Sequence, residues 1–308
     1  MLYLKTINGL CNRIRAISAA IKLTRSVPGE LCVLWPRQGR DMNVGFKELF
    51  LSPAEFRLVD ADDADLGPLM ARFAPGEAHF VSQAQMADRA ERERFVKRYL
   101  DAPDEDWFLE THEEFVHELT FSWMKPRPEI EAEVRRVTAE IQGGCIGVHI
   151  RRTDNLPATI YSPDHLFKDV IRQELEKNGN VRFFVASDDE AIKRELVQEF
   201  GDRVITRMKL ASRSQQGGVV QGLVDLLLLS RTQKIYASYW SSFSTYAARI
   251  GGIQMICVKD TDLEATLQRA VRLCATLNWR LLQMKQKYND LHAEIAGVLS
   301  GRPKMICD

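Results

Sequence analysis

Several signatures of common chemistries are missing from this 308-residue sequence. It contains no GxxxxGK[ST], so a bound nucleotide would have to be held by something other than a P-loop. Gly9 stands at a turn near the N-terminus, but the second and third glycines of a GxGxxG fingerprint do not follow it. There is no CxxC and no HExxH, which makes a dedicated zinc site an unlikely use of these residues, and no metal is expected. No apolar run approaches the roughly 18 residues of a membrane span. The densest, Leu223–Leu229, is short and interrupted by Asp225. Neither sign of charge is in excess, with 42 Lys plus Arg against 42 Asp plus Glu. That argues against a general polyanion surface, and nucleic acid is not an expected partner. The opening stretch MLYLKTINGLCNRIR brings its charges too early for the apolar core of a signal peptide. Six cysteines are scattered, and Cys11, Cys145 and Cys257 sit in or beside apolar segments. They read as small core residues of a reducing compartment, so a cytoplasmic protein is expected.

What remains is an ordinary globular composition, 45% hydrophobic and 27% charged, long enough for two domains. Short β-branched or aromatic runs predict strands at Leu2–Lys5, Glu30–Trp35, Cys145–Ile150, Val181–Ser187, Arg203–Thr206, Lys234–Ser238 and Gln254–Val258. Helical patterns lie between them. Asn12–Arg25 carries Ile14, Ile17 and Ile21 on one face, with Asn12 as the expected N-cap. Asp188–Phe200 opens on acidic residues that suit a helix dipole, and Gly217–Ser230 is almost wholly apolar. This alternation predicts parallel α/β sheets. The rhythm breaks in the charged stretch 60–140, where Asp88–Arg98 mixes three acidic with five basic residues and reads as a solvated helix. It restarts at Cys145. Domains are therefore expected at 1–140 and 141–260, followed by a C-terminal helix and tail at 261–308. From Leu263 to Ile295, apolar residues recur at steps of four and three. Such a heptad seam suits packing on the body of the protein or, over Leu281–Ile295, a homodimer contact.

The strongest chemical signal is Gly147-Val-His149-Ile-Arg151-Arg152-Thr-Asp154, which begins inside an apolar strand and runs off its end. Ligands of open α/β sheets bind just beyond the carboxyl ends of strands. Two adjacent guanidinium groups there suit a di-anion, with Asp154 able to orient one of them. An ion-pair lattice holding the loop is the other reading. Ala186-Ser187-Asp188-Asp189 is a second strand end, where a carboxylate suits a nucleobase edge or caps a helix. Ser238-Tyr-Trp-Ser241-Ser242-Phe243-Ser244 is a third, able to cradle a phosphate or cap a helix. Asn8-Gly9-Leu-Cys-Asn12-Arg13 occupies the first strand–helix turn.

Taken in order, these pieces resemble the fucosyltransferase superfamily, especially its bacterial nodulation and eukaryotic α1,6-acting members. The resemblance covers about residues 1–260 and is close over 145–250. It implies a GT-B-like α/β fold, two Rossmann-like domains facing a cleft, with the long C-terminal helix an addition. The implied activity is metal-independent, inverting transfer of fucose from GDP-fucose to a glycan hydroxyl. By the same resemblance Arg151 binds the β-phosphate and stabilises departing GDP, while Arg152 supports the pyrophosphate or the local loop. His149 and Asp189 contact guanosine, Ser241, Ser242 and Phe243 line the phosphate side, and Asn12 and Arg13 reach in from the first domain. The sequence departs from the family where the α1,6-acting enzymes carry a lysine and a glutamate suspected of acceptor deprotonation. Asn155 and Thr159 stand there, which leaves the general base unassigned. A transferase of another GDP-hexose, or a non-catalytic nucleotide-sugar-binding protein, would satisfy the same motifs.

Overall fold

The computed structural model describes residues 1–37, 42–60, 67–68, 71–73, 79–141, 144–153, 155–208 and 216–276. The chain divides into two compact units, Met1–Glu140 with Lys209–Leu228, and Ile141–Met208 with Leu229–Asp308.

In the first unit, strands β1 (Leu2–Thr6), β2 (Leu31–Leu34), β3 (Arg57–Val59), β4 (Phe80–Val81) and β5 (Trp107–Thr111) form one parallel sheet in the order β3-β2-β1-β5-β4. Its central strands are apolar on both faces because helices cover both sides of such a sheet. Leu2, Leu4, Val33 and Leu109 accordingly have no exposed surface. The helices are α1 (Leu10–Thr24), α2 (Phe46–Leu49), α3 (Gln83–Met86), α4 (Arg89–Asp101) and α5 (Pro128–Ile141). An aromatic cluster fastens α1 and α2 into this core. Phe46 stacks on Trp123 at 6.1 Å, and the Trp123 indole N–H donates to Ser18 Oγ of α1 at 2.9 Å. Helix α4 is the charged run, solvated as expected, with only Phe95 and Tyr99 buried.

Helix α1 begins two residues before the expected cap. Asn8 takes a positive φ of 62° and Gly9 an extended conformation, so the turn is completed by Gly9 and Asn12 already lies inside the helix. The Asn8–Gly9 turn supplies the start signal here, with the N-cap at Gly9, three residues before Asn12.

In the second unit, β6 (Ile146–Ile150), β7 (Phe183–Ser187), β8 (Val204–Thr206), β9 (Lys234–Ser238) and β10 (Gln254–Val258) form a second parallel sheet, ordered β10-β9-β6-β7-β8. Between and around them run α6 (Leu156–Tyr161), α7 (Asp164–Lys177), α8 (Glu190–Phe200), α10 (Ser242–Gly251) and α11 (Leu263–Thr276), while α9 (Gln216–Leu229), which lies between β8 and β9 in the chain, belongs to the first unit up to Leu228. Ile150, Phe167, Ile171, Phe183 and Leu196 make the fully buried centre of one face. Helix α11 buries Ala270 against Ile160 and Tyr161, with Leu273 beside them. Val271, beside the seam, is 68% exposed and takes no part in that packing. The continuation of the seam through Leu281–Ile295 lies outside the described residues.

Candidate functional site

The order of the second sheet locates its ligand crevice. From β6 the chain builds outward through β7 and β8, then returns to place β9 and β10 on the other side of β6. The carboxyl ends of β6 and β9 therefore flank a topological switch point, where loops diverge and leave a crevice. The loop after β6 carries Arg151 and Arg152, and the loop after β9 carries Tyr239, Trp240 and Ser241. A hydrogen bond joins the two edges, the Arg151 N–H donating to Ser238 Oγ at 3.0 Å.

Arg151 is held from the third strand. Register pairs Ile150 with Ser187, which sets Arg151 beside Asp188. The Arg151 Nε lies 3.3 Å from Asp188 Oδ2, with the two side chains 14% and 5% exposed. Asp188 also accepts from the Arg152 N–H at 2.8 Å, the Thr153 N–H at 3.1 Å and the Thr153 hydroxyl at 2.6 Å. Burial alone would raise its pKa, but the Arg151 charge and these donors hold the carboxyl below the usual carboxylate range. The result is an oriented guanidinium at the rim of the crevice, backed by an ionised carboxylate.

Arg152 is placed differently. Its Nε donates to Asp164 Oδ1 at 2.8 Å, its Nη1 to the Arg151 carbonyl at 2.7 Å and its Nη2 to the Ser162 carbonyl at 2.8 Å. Its carbon plane sits 5.7 Å over the Phe167 ring. A fork so engaged fastens the loop to α7. Of the two functions expected for this residue, support of the loop is the one its contacts perform.

His149 is 4% exposed, stacked on Phe243 at 4.8 Å, with Nδ1 3.4 Å from Ser241 Oγ. Burial, reinforced by Arg151, pushes its pKa down to about 3, so the imidazole is neutral at physiological pH. Ser241 occupies the N-cap position of α10 but makes no capping bond with its side chain, and Ser242 is exposed at the helix start. The structure thus brings His149, Arg151, Ser241 and Phe243 together, with Ser242 adjoining. Asp189 is half-buried at the N-cap of α8, where Oδ1 accepts from the Ala191 N–H at 2.7 Å. Asp154 lies outside the described residues.

In the first unit the corresponding switch point falls between β1 and β5. Asn12 is half-buried there in the first turn of α1. Arg13 has no exposed surface. It donates to the Asn8 carbonyl and the Pro36 carbonyl, both at 2.8 Å, and lies 4.6 Å over the Trp35 ring. These contacts hold the Asn8–Gly9 turn. Beside that turn, His112 Nδ1 is 3.0 Å from Asn8 Nδ2, and His112 Nε2 is 3.1 Å from Glu113 Oε1. Burial would raise the Glu113 pKa, but His112, Arg15 and Gln83 bring it down to about 2.

Sequence reasoning missed Asp188 as the partner of Arg151, having offered the carboxylates of that strand end for a nucleobase edge or a helix cap. The signal that reveals it is the strand register, which no single segment carries. Among the described residues no three His, Cys, Asp or Glu side chains converge as metal ligands. No helix among them is long and apolar enough to cross a membrane.

No family model matches the chain, and no curated protein matches it. Solved structures do. NodZ fucosyltransferase from Bradyrhizobium superposes with a TM-score of 0.54 at 17% identity, covering 80% of this chain and 91% of that one. FUT1 of Arabidopsis thaliana, in complex with GDP, gives 0.54 at 15% identity over 83% and 69% of the two chains. POFUT1 in complex with GDP gives 0.51 at 10% identity over 83% and 97%. At these identities the likeness establishes a shared fold, the two-sheet α/β architecture of fucosyltransferases.

Proposed function

We propose that this protein is a glycosyltransferase that moves fucose from GDP-fucose to a hydroxyl of a glycan, with inversion and without a divalent metal. The observation that carries the reading is the Arg151 guanidinium, fixed by buried Asp188 at the switch point of the second sheet. Support comes from the shared fold, since NodZ has been solved after soaking with GDP-fucose and the two other neighbours with GDP.

In this reading the acceptor oxygen attacks the anomeric carbon as the bond from that carbon to the β-phosphate oxygen breaks. GDP departs with the added negative charge, and Arg151 stabilises it from a fixed position, the cheapest way to stabilise developing charge. Ser241, Ser242 and the N-terminus of α10 line the phosphate side. Phe243 lines that side too, stacked on His149, and neutral His149 with Asp189 holds the base, a carboxylate being suited to the guanine N–H groups. Arg152 and Asp164 keep the loop in place. Thr159 cannot replace the missing glutamate as base. Its hydroxyl lies 3.3 Å from the Arg152 and Asn155 carbonyls and serves the loop.

A cytoplasmic location is part of the same proposal, supported by the buried thiols Cys11, Cys32 and Cys145, of which burial pushes Cys145 up to about 12. A homodimer through Leu281–Ile295 completes the proposal. Light scattering at micromolar concentration should give twice the 35.2 kDa chain mass, and Leu291→Glu should return a folded monomer. A monomeric parent would refute the dimer.

The activity is tested by calorimetry and product release with GDP-fucose, GDP-mannose and UDP-sugars, with and without a panel of glycans. GDP-fucose should bind tightest and release GDP on adding an acceptor. Preference for GDP-mannose would transfer the activity to another hexose, and donor binding without turnover on any acceptor would favour a binding protein.

A further inference from the structure

Trp240 has a conformation and an exposure that its surroundings do not explain as packing. Its φ is 52°, in the left-handed region, which a bulky side chain rarely occupies. Its side chain is 49% exposed, whereas Trp35, Trp107 and Trp123 are at most 1% exposed. Strained residues persist only where their neighbours over-determine them, and they cluster at ligand sites. Here the neighbours do so from both sides. The preceding Tyr239 N–H donates to Ser162 Oγ at 2.7 Å, and its ring packs against Tyr161 in a tilted pair with centroids 4.9 Å apart. The Trp240 carbonyl accepts from Asn155 Nδ2 at 2.9 Å. The following Ser241 is buried against His149. Backbone on each flank is pinned, and the indole is what the turn presents.

Position determines what it meets. Trp240 stands between Ser238, which holds the Arg151 N–H, and Ser241, on the phosphate side of the crevice. On the donor reading above, a sugar bonded to the terminal phosphate would extend toward that loop. A 6-deoxyhexose offers one face of C–H groups and a methyl, which suits the electron-rich face of an indole. Resting on the donor reading above, we infer that Trp240 is the stacking platform for the pyranose ring of the nucleotide-linked sugar. Asn155, standing where the α1,6-acting enzymes carry a lysine, is its positioning residue.

The test compares GDP with GDP-fucose, because a sugar platform must affect one and not the other. Calorimetry on the parent, Trp240→Ala, Trp240→Phe and Asn155→Ala supplies the affinities, and thermal melts verify folding. Trp240→Ala should weaken GDP-fucose by roughly fivefold with GDP unchanged, and Trp240→Phe should restore most of the loss. Asn155→Ala should reproduce part of it with the same selectivity. GDP-fucose should also change the tryptophan emission of the parent beyond the change GDP produces, and Trp240→Phe should abolish that excess. Should Trp240→Ala fail to fold, the emission difference and the Phe variant decide. Equal weakening of both ligands, or of neither, would overturn the sugar platform while leaving the donor reading intact. A parent that binds neither ligand would overturn both.

Discussion

Arg151 and Asp188 face each other as one ion pair, yet their removal should have unequal consequences. Truncating Arg151 leaves Asp188 with three hydrogen-bond donors, the N–H groups of Arg152 and Thr153 and the Thr153 hydroxyl, so the carboxylate stays satisfied. Arg151→Ala should therefore fold nearly as well as the parent while losing about 3 kcal/mol of barrier reduction in kcat/KM. Asp188→Ala strands those donors and a mostly buried guanidinium, and should cost about 3 kcal/mol of folding stability in urea melts. Comparable stability losses in the two variants would contradict the assignment. His149 gives the pH counterpart. Its pKa is about 3 when folded, below the ordinary 6.5. Between those values the unfolded chain binds a proton that the folded chain does not, so stability must fall as pH drops, by up to about 1.4 kcal/mol per pH unit. Asp188, with its lowered carboxyl, adds to the loss at the acid end. His149→Gln should flatten the slope between pH 7 and 5, and an unchanged slope would exclude the imidazole as its cause. The arginine pair was legible in the sequence because charge at a strand end is locally visible. The separation of their roles was not, because Asp188 and Asp164 reach them from other elements.

Elements were recovered where apolar runs were long enough to declare themselves. All seven strands expected from the sequence are present, with ends shifted by at most two residues. The three that escaped, β3, β4 and β5, are two to five residues long. Strand β5 is central, with Trp107, Phe108 and Leu109 buried, but acidic residues 104–106 and Glu110 hide its apolar core in a charged stretch. Close approach between elements was equally invisible, and it makes a prediction. Helix α10 ends at Gly251, where an added Cβ would stand 2.0 Å from the Ser230 carbonyl oxygen at the end of α9. Backbone cannot yield as a flexible side chain would. Gly251→Ala should cost about 3 kcal/mol or more in a denaturant titration, at the upper end for overpacking. Gly217, with nothing within 4 Å of its added Cβ, is the control and should lose far less as Ala.

The whole molecule carries no net charge, so affinity for a nucleotide diphosphate cannot come from a general field and must come from the local site. That site, in its donor-binding part, draws on β6, β7 and β9 and the loops that follow them, all within the second unit. A ligand that binds only the folded state adds RT ln(1 + [L]/Kd) to stability, about 2.7 kcal/mol at a hundredfold excess over Kd. Each unit has its own sheet and its own buried centre, so each has the means to melt as a cooperative body. Scanning calorimetry with GDP should then raise the transition of the second unit and leave that of the first near its original temperature. Arg151→Ala should lose most of the shift if, as proposed, its guanidinium is the phosphate contact. ADP should produce a much smaller shift than GDP, since in the proposed site Asp189 meets two N–H groups on guanine that adenine does not offer, and Asp189→Ala should narrow the gap. Equal shifts with ADP and GDP would refute the assignment of the base to Asp189, and a shift confined to the first unit would move the nucleotide site to the ends of β1 and β5.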